Sequence, residues 1–391
     1  MMQQGGTIAR HAVGVVAMLA GLFADVAERR AAPSAVAASG GAASRGEVQV
    51  ALTKIAVDAG PQIWRLEYQL PRPMASLDLG PHLAGMRQRH WRPRQAGIEI
   101  IELDGRDVAQ SINLTQSFER LTFDVASAQI VLPRTYEAFT KIGADGDLIF
   151  TGHFHPWWPG GRRMPARFTI TPGYGGRVTA FGATGARFEN WTSPFDNPAF
   201  VLVGPPPSDV SSDLVSAVDP DAPQWLREEA LAFSREVIAA YAAGFGGGLA
   251  TTPNFFLTYN PDGASGQAAF HGDALPGQFR MALEGRAWET RSGFALDILH
   301  RGVAHEAGHL WQTEARPLHD NVPNWIHEGG ANALAAAVLR RIGLWTAEDV
   351  YRDLQRARDE CAQVAIDVFS RPKPEVVRFC QTLLYLLDAT R

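Results

Sequence analysis

The sequence predicts an α+β protein in which a β-rich N-terminal domain precedes a mainly helical C-terminal domain. Up to about residue 204, short runs of β-branched and aromatic residues alternate with clusters of Gly, Pro, Asp and Asn. After the Pro- and Ser-rich stretch GPPPSDVSSDLVSAVDPDAP, the apolar residues follow helical spacing. A chain of 391 residues is long enough for two domains, which we place at 46–205 and 206–391.

The N-terminal domain is predicted to be an antiparallel β-sandwich-like domain. Its predicted strands are EVQVALTKIAV, IWRLEYQL, IEIIEL, RLTFDV, QIVL, DLIFTGHF, RFTITP, RVTAFG and AFVLVG. No helical period separates these runs, which favours a sandwich or barrel over an α/β fold.

The C-terminal domain is predicted to begin with the helix PQWLREEALAFSREVIAAYAAGF, which has Pro at its start and Gly at its end. Two strands, NFFLTYN and GQFRMALEG, follow it. Further helices are predicted over Ser292–Thr313, Asn324–Ile342, Thr346–Phe369 and Pro374–Thr390.

Residues 1–45 are predicted to be a signal segment and a disordered linker. The apolar run from Ala12 to Ala24 has the length of a secretory signal core and is too short to span a bilayer. The Ala-, Ser- and Gly-rich stretch that follows has the composition of a linker. We therefore expect export to the periplasm or the exterior, with a disordered N-terminus on a cytoplasmic protein as the alternative. No later segment is apolar enough to cross a membrane.

Composition excludes two classes of protein. Lys and Arg number 36 against 41 Asp and Glu, and no basic block is present, so nucleic acid is not an expected partner. Only two cysteines occur, Cys361 and Cys380, which excludes a disulfide framework and leaves either two buried thiols or a single bridge.

The segment VAHEAGHLWQ carries the strongest chemical signal. His305 and His309 are four residues apart, so on a helix both imidazoles lie on one face and can bind one metal ion. Glu306 points about 100° away and is placed to hold a water at that ion as a general base. Gly308 disfavours a helix interior by about 1 kcal/mol, which suggests a close approach there.

A catalytic zinc site needs a third protein ligand and an open fourth position. Glu328, which follows His309 after 18 residues, is the candidate. It lies near the start of a predicted helix that can pack antiparallel to the first, and Asn332 shares its face and can orient a ligand. The remaining histidines are interpreted as surface or core groups: His11, His82, His90, His153, His155, His271, His300, His319 and His327.

HEAGH, followed after 18 residues by the Glu of WIHEGGA, resembles the gluzincin zinc metallopeptidases. The W-x-x-E-G-x-A context is similar to the membrane alanyl aminopeptidase and glycyl aminopeptidase-like families, and WRLEYQLPRPMASLDL, GDLIFTGHFHP and APQWLREEALAF extend the likeness over Trp64 to Asp388. The resemblance implies a thermolysin-like catalytic domain, zinc bound by His305, His309 and Glu328, and Glu306 as general base.

Two segments depart from that family pattern. The G-x-M-E-N segment, whose Glu holds a substrate amine, corresponds to GQFRMALEGRAW with Glu284, although a strand there can still pair with an extended peptide. The oxyanion Tyr of the family corresponds to Arg378 or Phe379, which leaves Tyr385, Tyr351 or no tyrosine for that role.

The function predicted from the sequence is a zinc-dependent metallopeptidase with a peptide or protein substrate. The alternative is a catalytically impaired zinc-binding homologue that acts as a peptide-binding or interaction protein. A zinc hydrolase with another substrate stays open, because a fold does not fix a substrate. The sequence does not distinguish exo- from endopeptidase activity and does not indicate an oligomeric state.

Overall fold

The computed structural model describes residues 47–55, 62–112, 116–132, 135–159, 161–173, 175–191, 198–263, 268–315 and 324–367. These residues form two compact units. Of the described residues, one unit contains those from 47 to 208 together with Asp219–Asp221, and the other contains Asp209–Val218 and those from 222 to 367. The first unit is built of β-sheets and the second carries the long helices, so the predicted α+β class is confirmed.

The N-terminal unit contains three sheets and one short helix, α1, at Met86–His90. Its strands are β1 (Val48–Ile55), β2 (Ile63–Met74), β3 (Ser76–Pro81), β4 (Trp91–Pro93), β5 (Ile98–Leu103), β6 (Arg106–Ser111), β7 (Phe118–Ala126), β8 (Phe139–Ile142), β9 (Gly146–Phe150), β10 (Ala166–Thr171), β11 (Arg177–Ala180), β12 (Ala183–Gly185), β13 (Phe188–Trp191) and β14 (Phe200–Gly204). The sheet orders are β13-β10-β1-β2-β7-β4, β12-β11-β14-β9-β8 and β3-β6-β5.

Alternating burial along the strands builds the core of this unit. Every second residue at the start of β1 and along most of β2 is buried, which is the period of a strand with one covered face. Buried side chains of the six-stranded and five-stranded sheets, such as Trp64 and Val201, belong to one core, as a sandwich requires.

Two features of the N-terminal unit differ from the prediction. β1 pairs with β10 in parallel, with Val48 opposite Ala166, although the predicted sheets were antiparallel. Such a pair joins segments that are far apart in sequence, so local patterns carry no signal for it. The predicted strand QIVL is irregular, because Gln129–Leu132 forms no ladder with a neighbour.

The C-terminal unit has one mixed sheet and four long helices among its described residues. Its strands are β15 (Asp209–Val210), β16 (Val215–Val218), β17 (Asn254–Asn260), β18 (Ala269–Leu275) and β19 (Gln278–Glu284). Its helices are α2 (Gln224–Gly244), α3 (Gly293–Ala315), α4 (Asn324–Arg341) and α5 (Ala347–Asp367). All four correspond to predicted helices, and the predicted helix Pro374–Thr390 lies outside the described residues.

The sheet order β15-β16-β17-β19-β18 makes β18 an edge strand. Pro276 and Gly277 connect β18 to β19, and Gly277 has φ +69°, as the third position of a type II turn requires. The sequence predicts β17 and β19 but not β18. It also assigned β16 to the linker, whereas all four residues of β16 are buried and pair in parallel with β17. None of the described helices is both long and apolar enough to cross a membrane.

A buried histidine makes the stability of the N-terminal unit depend on pH. His153 lies in a short 3-10 turn, and its Nε2 donates a hydrogen bond to the carbonyl oxygen of Tyr136 at 2.6 Å. Burial, helped by the Arg87 guanidinium and opposed by the hydrogen bond to Tyr136, lowers the pKa of His153 to about 4. The unfolded chain therefore takes up a proton at higher pH than the folded protein does.

We expect the free energy of unfolding to fall as the pH drops from about 6.5 to about 4, by up to about 1.4 kcal/mol per pH unit from this residue alone. Chemical denaturation of wild type and His153→Gln at pH 7, 6 and 5 measures this contribution, with His271→Gln on β18 as an exposed-histidine control. Equal pH slopes in wild type and His153→Gln would contradict it.

Candidate metal centre

The centre forms where α3 packs antiparallel to α4. At Gly308 a Cβ atom would lie 3.2 Å from Tyr241 Oη and 3.4 Å from Leu334 Cβ, so a methyl group here would require these neighbours to move by a few tenths of an ångström. Tyr241 on α2 donates its hydroxyl hydrogen to the carbonyl oxygen of Ala304 at 2.8 Å. The glycine in the predicted metal motif is thus explained by close helix packing, which sets the distance between the two faces that carry the polar groups.

The structure brings the three predicted metal ligands together. His305 Nε2 lies 3.1 Å from His309 Nε2 and 3.3 Å from Glu328 Oε2. His309 Nε2 lies 3.9 Å from the same carboxylate oxygen. His309 is buried, while the side chain of Glu328 is 37% exposed, so the centre is closed on the α3 side and open beside Glu328.

These spacings fit a small divalent cation. A tetrahedral ion with bonds of about 2.0–2.2 Å separates neighbouring ligand atoms by about 3.4 Å, and the three observed separations lie around that value. Two imidazole nitrogens and one carboxylate oxygen are also a donor set that suits zinc. The residues present therefore fit the metal that the motif predicts.

Hydrogen bonds on the far side of each imidazole fix its tautomer and orientation. His305 Nδ1 donates to Asn332 Oδ1 at 2.9 Å, as the spacing of Asn332 and Glu328 predicts. His309 Nδ1 donates to Gln312 Oε1 at 2.8 Å, and Gln312 Nε2 donates to the carbonyl oxygen of His327 at 3.0 Å. Both histidines consequently direct Nε2 into the centre.

Gln312 was not identified from the sequence, although it connects the two helices. A Cβ atom at Gly330 would overlap its amide nitrogen, so the glycine in the IHEGGA segment makes room for this side chain. Gln312 lies three residues after His309, on a neighbouring part of the same helix face. This three-residue spacing is the sequence feature from which its hydrogen bond to His309 could have been predicted.

Glu306 lies on a different side of α3 and contacts the edge strand. A Cβ atom at Gly272 on β18 would overlap the Glu306 carboxylate, so the strand passes directly against it. Gly302, one turn earlier on the same face of α3, allows a similar approach of Met281 on β19. Glu306 Oε1 is 3.9 Å from His305 Nε2, which places this carboxylate beside the centre between α3 and β18.

The charges of the centre are strongly coupled. The hydrogen bond from His305 holds the pKa of Glu328 well below its usual range. Burial lowers the pKa of His305, but its hydrogen bond to Glu328 and the charges of Glu306 and Glu328 outweigh burial and raise it overall. Burial and the neighbouring His305 hold the pKa of His309 well below its ordinary value.

Burial is the main reason that the pKa of Glu306 is raised to about 8. The charge of His305 opposes this shift, the carboxylates of Asp273 and Glu328 add to it, and Arg280 opposes it. A carboxyl group with a raised pKa beside a cation site is typical of a group that exchanges protons in catalysis.

His327 also reaches the centre, which the sequence analysis did not expect. Its ring packs on that of His309, with centroids 4.1 Å apart and planes at 33°. The ligand atoms of His309, His327 and Glu328 all lie within 4.8 Å of one another, as do those of His305, Glu306 and His309. Adjacent residues on a helix point about 100° apart, so spacing alone gives no reason to group His327 with Glu328.

The other candidate residues are not brought to the centre. Glu284 ends β19 and packs over Gly263, and within the described part of the chain no hydrogen bond or ion pair joins it to His305, Glu306, His309 or Glu328. Tyr351 lies on α5, half-buried, and makes no hydrogen bond to the centre among the described residues. Four residues of the sequence-based predictions lie outside the described residues: Arg378, Phe379, Cys380 and Tyr385.

No protein-family profile matches the chain, and no curated protein is detectably similar to it in sequence. Among solved structures, the chain is similar to an M1 zinc metallopeptidase from Deinococcus radiodurans, with 14% identity, 83% of this chain and 76% of that chain covered, and a TM-score of 0.40. A mutant of that protein bound to a Tyr-Ser-Ala substrate gives 14% identity, coverages of 82% and 75%, and a TM-score of 0.39.

Yeast LTA4 hydrolase in complex with bestatin is also similar, at 12% identity and a TM-score of 0.38. The alignment covers 90% of this chain and 57% of the hydrolase. The similar structures thus include zinc metallopeptidases, the class that the HEAGH motif resembles.

Removing the acceptor of His305 tests the geometry of the centre. We expect Asn332→Ala to weaken zinc binding on the order of 10- to 100-fold, because the imidazole loses the hydrogen bond that orients Nε2. Asn332→Asp retains an acceptor and should bind zinc close to wild-type strength. Competition with a chromophoric chelator measures both affinities, and an unchanged affinity in Asn332→Ala would refute this role.

Proposed function

We propose that the protein is a zinc-dependent metallopeptidase in which His305, His309 and Glu328 hold the metal and Glu306 is the general base. The observation that carries the proposal is the convergence of these four side chains from two helices, with Glu306 set between the metal ligands and an edge strand.

A bound zinc ion would act as a Lewis acid, lowering the pKa of water and polarising a substrate carbonyl. Glu306 then accepts the proton of the attacking water and delivers it to the leaving amine. Its carboxylate becomes available near neutral pH when a nearby cation offsets the burial that raises its pKa. Asn332 and Gln312 keep the two imidazoles fixed while the proton moves.

A peptide substrate is supported by the position of β18. This strand lies at the edge of the sheet, so its outer backbone groups can pair with an extended chain. Gly272 in the middle of β18 contacts Glu306, so a chain added to this edge passes beside the general base. The sequence predicted this pairing for β19, the strand that carries Glu284. In the structure β19 pairs with β17 on one side and with β18 on the other, so its backbone is already paired.

Glu306→Gln is the direct test of the proposed function. We expect peptide cleavage to fall on the order of 10²- to 10⁴-fold while zinc stays bound, because an amide cannot accept the proton and the residue is not a ligand. Metal analysis and cleavage of a peptide library, run on the same preparations, give both results. The matched control is Glu314→Gln on the exposed end of α3, which should cleave at the wild-type rate.

Zinc-free wild type, or undiminished cleavage by Glu306→Gln, would refute the proposal. Wild type with stoichiometric zinc and no cleavage of any library peptide would favour the alternative function, a zinc-binding protein that binds peptides without turnover. Export of the protein also stays a proposal, because its basis is the apolar run from Ala12 to Ala24.

The contact between β18 and Glu306 gives a second prediction. We expect Gly272→Ala to displace the Glu306 carboxylate and to lower kcat on the order of 10²-fold, because the new methyl group occupies the space of that carboxylate. Zinc affinity should be unchanged, since the three atoms nearest to a Cβ at Gly272 all belong to Glu306 and not to a candidate ligand. Steady-state kinetics together with chelator competition measures both quantities, and wild-type kcat in Gly272→Ala would contradict the predicted contact.

A further inference from the structure

We propose that Gln312 is a positioning residue for two metal ligands at once, because it holds the backbone of Glu328 on α4 at a fixed distance from His309 on α3. This role rests on the proposed zinc site and deepens it. The zinc affinity of the centre should then depend on a side chain that does not bind the ion, and on the small residue of α4 that makes room for it.

The amide group of Gln312 bonds to both helices. Its Oε1 accepts a hydrogen bond from His309 Nδ1 at 2.8 Å, and its Nε2 donates one to the carbonyl oxygen of His327 at 3.0 Å. That carbonyl belongs to the planar peptide unit whose other end is the backbone nitrogen of Glu328. A single side chain therefore joins the imidazole of one candidate ligand to the main chain directly before another.

The carboxylate of Glu328 has few other constraints. Its side chain is 37% exposed, and within the described residues its ion pairs are those with His305 and His309. Ordering a glutamate side chain is entropically unfavourable, and this loss opposes metal binding. A backbone fixed in advance restricts the carboxylate to positions near the two imidazoles, so less of the loss accompanies binding of the ion.

Gly330 on α4 is the complement of Gln312. A Cβ atom at this position would lie 2.4 Å from Gln312 Nε2 and 3.7 Å from its Cδ, and apart from α4 itself no other atom lies within 4 Å. Glycine is unfavourable inside a helix, and Gly330 lies in the interior of α4. Space for the Gln312 amide is a physical reason for a glycine there.

A second connection between the helices lies on the other side of Glu328. Asn332 on α4 accepts the hydrogen bond of His305 Nδ1 at 2.9 Å. Gln312 meets α4 at the residue before Glu328, and Asn332 lies four residues after Glu328. The third candidate ligand thus lies between the two points at which α4 is joined to the metal-binding histidines.

Gly330→Ala separates positioning from folding. The new methyl group meets only the end of a flexible side chain, so the Gln312 amide has to leave its place between the helices. We expect the zinc affinity of the full chain, measured by chelator competition, to fall on the order of 10- to 100-fold. The unfolding temperature of the metal-free protein should stay the same or rise, because alanine favours a helix interior. A purely structural role predicts the reverse, a lower unfolding temperature with unchanged affinity.

Double variants test whether Gln312 acts through Glu328. Gln312→Ala should weaken zinc binding as Gly330→Ala does, and combining the two should add no further loss, since the displaced side chain is absent. In a Glu328→Ala background, Gly330→Ala should cause a much smaller loss than in wild type, because the positioned ligand is absent. The matched control is Gly293→Ala at the start of α3, where no neighbour lies within 4 Å of the added methyl group and the affinity should not change.

Wild-type zinc affinity in Gly330→Ala or in Gln312→Ala would overturn the proposal. An undiminished effect of Gly330→Ala in the Glu328→Ala background would also overturn it, because Gln312 would then act on His309 alone. Peptide cleavage enters none of these measurements. Zinc binding with the predicted dependence on Gln312, but without cleavage of any peptide, would refute the peptidase activity and support the role of Gln312. Zinc-free wild type would refute both.

Discussion

The close antiparallel packing of α3 and α4 is the constraint on which the centre depends. Gly308 allows α3 to approach Tyr241 and Leu334, and Gly330 leaves room for Gln312 between the two helices. This spacing allows the short side chain of Glu328 to reach the nitrogens of His305 and His309. A wider separation would leave three polar groups partly buried without a common partner, which is unfavourable unless each is hydrogen-bonded or bound to a metal.

As a result, the faces of α3 contact different elements. One face presents His305 and His309 to α4, a second presents Gly302 and Glu306 to the β18–β19 hairpin, and Gly308 faces α2. The helical period places Glu306 about 100° from the histidine face, so its carboxylate lies beside the three candidate ligands and not among them. The hairpin packs against Glu306, and its edge strand β18 can pair with an extended substrate.

The sequence predicted the helices and the grouping of the three candidate metal ligands because these signals are local or periodic. The four-residue spacing of the histidines and the capping signals of α2 act over a few residues. By contrast, β18 carries Gly272 and Asp273 and has weak strand propensity, so only its Pro276–Gly277 turn indicated a hairpin. β16 is a short buried strand inside a Pro- and Ser-rich segment, and its parallel partner β17 begins about 40 residues later.

The parts of the centre that were missed depend on tertiary contacts. Gln312 and His327 have no distinctive sequence pattern, and their roles follow from how α4 lies against α3. The sheet order also determines which strand faces Glu306. The strand is β18, whereas the sequence pointed to its neighbour β19.

The central claim is that one zinc ion is bound between α3 and α4. Anomalous diffraction at the zinc absorption edge from crystals of the zinc-loaded protein tests it most directly. The account predicts a single peak about 2.0–2.2 Å from His305 Nε2, His309 Nε2 and a Glu328 oxygen, with Glu306 outside bonding distance. No peak at this position in fully loaded crystals, or an ion bound elsewhere on the chain, would contradict it.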